Sequence, residues 1–359
     1  MTAPTPVRAL PRSEPTDHPV ESVIVGYGHA GRDLHHRILI ALAGRGAVPR
    51  GEALVVDPVR PVDPLPGSRW LSSLPQALAA LGSPASAVVH VATPVRDRAR
   101  TIRDLAAAGI RRVIMEKPFA ESPAAARELT DLIRDCGVDV LPVAVWPSST
   151  ITRRVVELLA AGRIGRPVSL HVEQSKPRFR RSFENSAHSS AFEVELPHQM
   201  LLALHLFGDA ESVEAVSWPL RNPAGQDRML GGATVCLRHR DGLVTTLTSD
   251  LTSPVRIRRL RLRGTEGEIV AHYPIGGDDP FGQIQVTGER DRTLLPDAPL
   301  TTFVEDCYRY FTGSEERPAG TDLRLHARVT ELLAAASAAA VPGDAPSLLG
   351  RPDSHAFEE

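Results

Sequence analysis

The sequence predicts an α/β half built on a doubly wound parallel sheet, followed by an α+β half built on an open, mainly antiparallel sheet. Three observations predict it. Short apolar runs alternate with helical stretches up to residue 146, the pattern of parallel strands joined by crossover helices. Beyond that point strand-like segments follow one another with few helices between them. Finally, 359 residues with 42% apolar content suffice for two cores.

The elements read in order as follows. Val23-Ile24-Val25 is a short buried-strand pattern, and it runs into Gly26-Tyr27-Gly28-His29-Ala30-Gly31. Leu34, Ile38 and Leu42 then recur at helical spacing. A second apolar run, Ala53 to Val56, ends in Asp57, and a third, Ala87 to Ala92, ends in Thr93-Pro94. The stretch Asp97 to Ala108 is helical and closed by Gly109. A fourth strand, Arg112 to Met115, enters Glu116-Lys117-Pro118. Ser122-Pro123 supplies an N-cap and a first-turn proline for a helix that stops before Gly137. Val138 to Val145 is the last strand of this half.

In the second half, helices are expected from Ile151 to Ala161 and from Pro197 to Phe207, each closed by a glycine. Strands are expected at Val168 to Val172, Ala215 to Trp218, Ala233 to Arg238, Val244 to Leu251, Ile257 to Leu262 and Glu268 to Ala271. One alanine-rich helical region spans Thr301 to Ala340. The predicted domains are therefore 20–146 and 147–341. A disordered tail at 1–19, rich in Pro, Thr and charge, precedes them, and a loosely ordered tail at 342–359 follows.

Composition excludes several functions. A formal charge of −2 leaves no electrostatic footprint for nucleic acid or an anionic membrane. No stretch approaches the roughly 18 consecutive apolar residues of a membrane span, and the start lacks the apolar core of a signal peptide. Cys136, Cys236 and Cys307 are far apart with no metal spacing, which suits a reducing cytoplasm. Of the 41 basic residues only Lys117 and Lys176 are lysine. An ammonium is a compact, tunable donor where guanidinium is a fixed planar cation, so a lysine kept in such a sequence points to its chemistry.

The glycine run has the Gly-x-Gly-x-x-Gly form of a dinucleotide-binding Rossmann turn. Gly26 permits the tight turn, Gly28 lets backbone approach a pyrophosphate, and Gly31 lets helix pack on strand. The helix N-terminus then faces the phosphates with its free amides. Asp57, closing the second strand, can accept from both ribose hydroxyls and would repel a 2′-phosphate, which favours NAD over NADP. Arg60 nearby keeps NADP open. Lys117, held before a proline, lies at the carboxyl end of its strand, the edge where such sheets bind ligands.

With Val23 to Gly31, Ala92-Thr93-Pro94, Glu116-Lys117-Pro118, Gly162-Arg163-Ile164-Gly165-Arg166-Pro167 and Gly264-Thr265-Glu266-Gly267 in this order, the sequence resembles the Gfo/Idh/MocA oxidoreductases (glucose-fructose oxidoreductase, inositol dehydrogenase, rhizopine catabolism) from about residue 22 to 340. The resemblance implies a Rossmann domain plus an open sheet used for dimer or tetramer contacts. It implies hydride transfer between nicotinamide and a sugar or cyclitol carbinol, with Lys117 on the reacting oxygen and Gly26 to Gly31, Asp57, Thr93, Pro94, Glu116 and Lys117 around the cofactor. The family histidine corresponds to His198, which as a neutral imidazole can take the carbinol proton. The family places an aspartate four residues earlier, where this chain has Val194; Glu195 or Glu193 is expected to take over. After Thr93-Pro94 come Val95 and Arg98 in place of the usual asparagine and histidine, and Trp146-Pro147 replaces an Arg pair.

Trp146 is a candidate for stacking on a sugar or nicotinamide face, or else a core ring. Lys176-Pro177-Arg178-Phe179-Arg180-Arg181 is either an anion-binding run for a substrate phosphate or carboxylate, or a solvated face. His35-His36, and His198 with His205, lack clustered further ligands, so no metal is expected. His90 is expected to be a satisfied core residue. The expected function is NAD(P)-dependent oxidation or reduction of a sugar, aminosugar or cyclitol by a homodimer or homotetramer. The alternatives are an imine or non-sugar carbonyl reductase, or a silent dinucleotide sensor.

Overall fold

The computed structural model describes residues 20–184, 188–222, 224–276 and 278–345. The expected tail at 1–19 lies outside the described residues, as does the expected tail at 342–359 beyond residue 345. The chain divides into two compact units. The first comprises the described residues up to Ala160, with Met200–Gly208 and Leu295–Ala334; the second comprises Ala161–Gln199, Asp209–Leu294 and the described residues from Ala335.

In the first unit, β1 (Ser22–Val25), β2 (Ala53–Val56), β3 (Ser68–Leu71), β4 (Val88–Val91), β5 (Arg112–Met115) and β6 (Asp139–Pro142) form one sheet in the order β3-β2-β1-β4-β5-β6. Every pairing is parallel. This is the doubly wound arrangement that the strand and helix alternation predicts, with the order switching on either side of β1. Its helices are α1 (Arg37–Gly44), α2 (Leu74–Ala80), α3 (Arg98–Ala107) and α4 (Pro123–Asp135). Ser122 caps α4 by accepting from the Ala125 N–H at 3.2 Å, as the Ser-Pro start predicts. Val23, Val25, Val89, Val91, Val113 and Met115 pack one face of the sheet in a continuous core. The alternate positions Ile24, Val55, His90 and Ile114 are equally buried, so both faces are covered.

Three features of this unit differ from expectation. The strand β3 was not predicted: Ser-Arg-Trp-Leu carries no apolar period, and it is a half-exposed edge strand. The turns between the glycine loop and α1, His29–His36, wind as a wider π-type helix. The single helix expected over Thr301 to Ala340 is two, α8 (Pro299–Phe311) and α9 (Leu323–Ala339), because Gly313, Pro318 and Gly320 interrupt it. Moreover α8 and most of α9, up to Ala334, group with the first unit instead of the domain at 147–341. Side-chain bonds hold them there: Ser22 Oγ lies 2.6 Å from Tyr308 Oη, and Asp139 accepts from Tyr310 at 2.8 Å and Arg317 at 2.7 Å. The helix α5 (Thr150–Ala160) belongs to this unit as well.

The second unit is a mixed sheet in the order β14-β13-β12-β11-β7-β10-β9-β8-β15. Its strands are β7 (Pro167–Ser175), β8 (Ala210–Arg221), β9 (Asp227–His239), β10 (Val244–Asp250), β11 (Ile257–Gly264), β12 (Glu268–His272), β13 (Phe281–Val286), β14 (Thr293–Pro296) and β15 (Val341–Pro342). Most pairs are antiparallel, as predicted. The β7–β10 and β15–β8 pairs are parallel; β7 reaches β10 by a long excursion through α6 (Phe179–Glu184), α7 (Leu196–Phe207), β8 and β9. Residue 342 thus pairs with β8, within the tail expected to be loose. Alternation is clean: Leu170, Val172, Leu260 and Leu262 are buried while His171, Glu173, Arg259 and Arg261 are half-exposed. The two motif turns dock, with Thr265 N–H donating to Arg166 O at 2.9 Å and Glu266 N–H to Ile164 O at 2.9 Å.

Candidate functional site

The carboxyl ends of β1, β2, β4 and β5 bring the predicted dinucleotide residues to one edge of the first sheet. Gly26 has φ of +93°, and a Cβ there would lie 2.7 Å from the Ala92 carbonyl oxygen; only glycine makes that turn. A Cβ on Gly31 would lie 2.0 Å from Gly26 O, whereas one on Gly28 would meet nothing within 4 Å. Two glycines thus serve internal packing and the third leaves space above the loop. That is the division of labour the motif requires, and it is the fit expected for a pyrophosphate.

Asp57 closes β2 and its carboxylate already organises the turn. Oδ2 accepts from Tyr27 N–H at 2.8 Å and Oδ1 from Val59 N–H at 2.9 Å. Each carboxylate oxygen has a further lone pair for a ribose hydroxyl. Sequence reasoning missed Trp70, on β3, whose indole N–H donates to Asp57 O at 3.0 Å and whose ring lies 5.7 Å from the Arg60 guanidinium. Thr93, at the end of β4, has a buried Oγ1 with no partner. An orphaned hydroxyl facing this edge is the kind of donor a nicotinamide or ribose group would satisfy. Together these residues fit a nicotinamide dinucleotide: the loop and helix start for phosphate, Asp57 for ribose, Thr93 for the far end.

Glu116 and Lys117 follow β5, and the Lys117–Pro118 peptide is cis. Lys117 N–H donates to Glu116 Oε2 at 3.0 Å. Glu116 Oε1 meets His35 Nε2 at 2.9 Å, so His35 belongs to this end of the sheet. His35 spends both ring nitrogens on different partners, Glu116 and His90, which is hydrogen bonding along a line and not metal ligation around a point. His36 instead contacts Tyr27 Oη at 2.6 Å. Trp146 is 7% exposed, in keeping with the core-ring alternative.

In the second unit the expected residues form a different cluster. Lys176 makes an ion pair with Glu195, whose side chain is 7% exposed. Burial alone would push the Glu195 carboxyl up, but Lys176, with His198 and Arg258 nearby, holds it below its ordinary value. His198 stands on the first turn of α7, its N–H donating to Glu195 O at 3.0 Å. Arg178 is buried and donates to Ser182 Oγ at 3.2 Å; burial lowers its pKa, the adjacent Arg181 adds to this, and Glu195 opposes it. The arginine run is therefore neither a free anion site nor a solvated face throughout. Its lysine is neutralised internally, Arg178 is inside, and of its cations only Arg180 and Arg181 are exposed. Glu193 accepts from Ser189 N–H at 2.9 Å and from its hydroxyl at 2.5 Å. It is thus engaged with Ser189 and lies 3.7 Å from His188 Nδ1, while Glu195 is the glutamate on which the charge of His198 acts.

Comparisons agree with this fold. Residues 68–143 match the model of an oxidoreductase family with an NAD-binding Rossmann fold, and residues 152–270 match the Gfo/Idh/MocA C-terminal domain. No curated protein matches at a significant level. Among solved structures, an oxidoreductase from Thermotoga maritima is similar at TM-score 0.70 and 18% identity, covering 89% of this chain and 97% of that one. A 3-ketoreductase from Actinomadura kijaniata in complex with NADP and TDP-benzene is similar at 0.69 and 19%, covering 90% and 99%. An oxidoreductase from Agrobacterium radiobacter in complex with NAD+, L-tartaric acid and magnesium is similar at 0.67 and 17%, covering 89% and 95%. At these identities the likeness establishes the fold.

Proposed function

The chain belongs to the Gfo/Idh/MocA oxidoreductase family, binding a nicotinamide dinucleotide through its Rossmann unit, and from that premise we propose that it oxidises or reduces a secondary carbinol or ketone of a sugar, aminosugar or cyclitol. The bound dinucleotide supplies or accepts the hydride. The observation that carries the reading is the state of the two lysines. Lys176 is committed to Glu195, whereas the Lys117 ammonium has no ion-pair partner among the described residues, at the sheet edge that carries Gly28, Asp57 and Thr93. A compact cation left without a carboxylate there is suited to a substrate oxygen that becomes negative as hydride moves.

The roles we assign follow from each group's chemistry. Lys117 donates to the reacting oxygen and favours its anionic form. His198 takes up or returns the carbinol proton at a ring nitrogen, and Glu195, coupled to it, supports the imidazole when it is charged. Both oxygens of Asp57 accept from backbone N–H groups and neither of these partners is cationic, which supports NAD over NADP; Arg60, stacked near Trp70, is the residue that argues the other way. Self-association through the half-exposed polar face of the second sheet, where Arg259 pairs with Glu173 and Arg261 with Glu268, is part of the same reading. So is a cytoplasmic setting, supported by three unpaired cysteines. Among the described residues no helix is long and apolar enough to cross a membrane.

The test is nicotinamide absorbance across a panel of sugars and cyclitols with either cofactor. Turnover is expected with a member of the panel, and Lys117→Ala should lower it by at least about 10²-fold with NADH affinity within a few-fold. A protein that binds NADH but consumes it with no sugar, cyclitol or other carbonyl would be a sensor, and a Lys117→Ala variant with unchanged turnover would sink the assignment of that residue.

A further inference from the structure

Inside the first unit a line of polar side chains crosses the core. Glu116 Oε1 meets His35 Nε2 at 2.9 Å; His35 Nδ1 meets His90 Nδ1 at 2.8 Å; His90 Nε2 meets Tyr308 Oη at 3.1 Å; and Tyr308 Oη meets Ser22 Oγ at 2.6 Å. His35, His90 and Tyr308 are 1%, 0% and 2% exposed, while Ser22, at the far end, is half-exposed. We propose that this line is a proton relay joining Glu116, the neighbour of Lys117, to solvent at Ser22.

The donor and acceptor count dictates the behaviour. A carboxylate only accepts, so with Glu116 ionised His35 Nε2 must donate. A neutral His35 then has a bare Nδ1, which must accept from His90 Nδ1. His90 is held neutral, because burial presses its pKa well below the ordinary value. Its Nε2 is therefore bare and accepts from the Tyr308 hydroxyl, which in turn accepts from Ser22. All five groups are satisfied in one sense, pointing at Glu116. With Glu116 protonated, the same five are satisfied only in the opposite sense. The two arrangements differ by one proton exchanged between the ends.

An inward passage balances as follows. Ser22 gives its hydroxyl proton to Tyr308 Oη, Tyr308 gives its own to His90 Nε2, His90 gives its Nδ1 proton to His35 Nδ1, and His35 gives its Nε2 proton to Glu116 Oε1. Water restores the proton of Ser22. Glu116 has gained one proton, the other groups keep their number, and nothing is oxidised or reduced. The outward passage reverses each bond. Resting on the oxidoreductase reading, in which His198 exchanges the proton with the substrate, this relay adds a proton to Glu116 or withdraws one, so that the charge beside Lys117 follows the proton that carbonyl reduction consumes and carbinol oxidation releases. Packing does not need such a line: His90 sits on central strand β4 in register with Ile24 and Ile114, where an apolar residue would serve without hydrogen-bond partners.

The test is histidine tautomers by NMR on the full chain labelled with 15N-histidine, in NADH. The expected spectrum has the proton on Nε2 in His35 and on Nδ1 in His90. Rings protonated at both facing Nδ1 atoms, or at neither, would overturn the relay. Glu116→Gln replaces an acceptor by a group that also donates, and His90, which Glu116 does not touch, should change tautomer together with His35; an unmoved His90 overturns the coupling. Tyr308→Phe removes one hydroxyl and keeps the ring. With the best substrate of the panel it should lower turnover by at least about tenfold, leave NADH affinity within twofold, and be restored by imidazole buffer. Unchanged turnover, or a loss that imidazole does not restore, overturns the proposal. The Lys117→Ala result stands apart: active Lys117→Ala protein with coupled tautomers would refute the role of Lys117 and leave the relay intact.

Discussion

Lys176→Met removes the counter-ion of Glu195 while keeping the aliphatic stem. The Glu195 side chain is 7% exposed and that of Lys176 22%, so the pair is screened little by water. Breaking a buried pair from one side typically costs about 3–5 kcal/mol, because the remaining charge is left uncompensated. His198 and Arg258 stay close to Glu195, which places the expected loss near the low end, about 3 kcal/mol. The pH dependence has a definite sign. In the native chain the Glu195 pKa is depressed in the folded state, so its contribution is present above the unfolded carboxyl value of about 4.3 and is lost as pH falls through the folded one. Without Lys176, burial dominates and the folded pKa rises, so the variant should regain stability on mild acidification. Its deficit is therefore largest near neutrality and narrows toward about pH 5. Urea unfolding followed by circular dichroism at several pH values reads both, with Lys176→Met/Glu195→Leu as companion. A single variant within about 1 kcal/mol of the parent at neutral pH, or a double variant no more stable than the single, would refute the buried-pair reasoning.

Gly28→Ala and Gly31→Ala should separate binding from folding: the first adds a Cβ into open space and should weaken NADH binding at least about tenfold with an unchanged urea midpoint, while the second drives a Cβ to 2.0 Å from Gly26 O and should lower the midpoint as well. Equal midpoints for the two would contradict the packing argument. Asp57→Asn removes the charge that opposes a 2′-phosphate, so the NADPH to NADH affinity ratio from fluorescence titration should rise at least about tenfold, roughly 1.4 kcal/mol; an unmoved ratio would remove Asp57 from cofactor choice. Burial depresses His36, His90, His171, His205 and His272. The folded state therefore resists protonation, stability is full above the unfolded value of about 6.5, and it falls below that pH by up to about 1.4 kcal/mol per unit for each group. A flat urea midpoint between about pH 7 and pH 5.5 would show that these rings are not held neutral.

The dinucleotide edge was legible in the sequence because it is local. Gly26, Gly28 and Gly31 lie between a strand and a helix, Asp57 ends the next strand, and Lys117 stands before a proline at the end of another. Each is specified by its immediate neighbours. What was not legible depends on separation in sequence. Ser22 and Tyr308 are 286 residues apart, and His90 and Tyr308 are 218 apart, and no periodicity links them. His90 was expected to be satisfied in the core, which it is, but its partners could not be named. Some strands were missed for a different reason: the edge strand β3 has no apolar period, and β13, whose Gly282, Ile284 and Val286 do alternate inward, was hidden by the glycine and aspartate cluster before it.

The lysine count led to a sound question and half of its answer. Two lysines among so many arginines suggested that both were kept for their ammonium. Lys117 stands at the ligand edge without an ion pair among the described residues, as a substrate-binding cation should. Lys176, in a run read as either an anion site or a solvated face, instead faces Glu195 inside the second unit. An arginine in its place would bring a wide planar fork to a carboxylate that also serves His198 and Arg258, whereas an ammonium presents one compact charge to one oxygen. On the proposed reading the same chemical reason preserves both lysines and acts in opposite directions: Lys117, without an ion pair among the described residues, is completed by a substrate, while Lys176 is paired so that a buried glutamate stays ionised. Net charge and composition do not distinguish these cases, because the distinction lies in whether the partner is part of the protein.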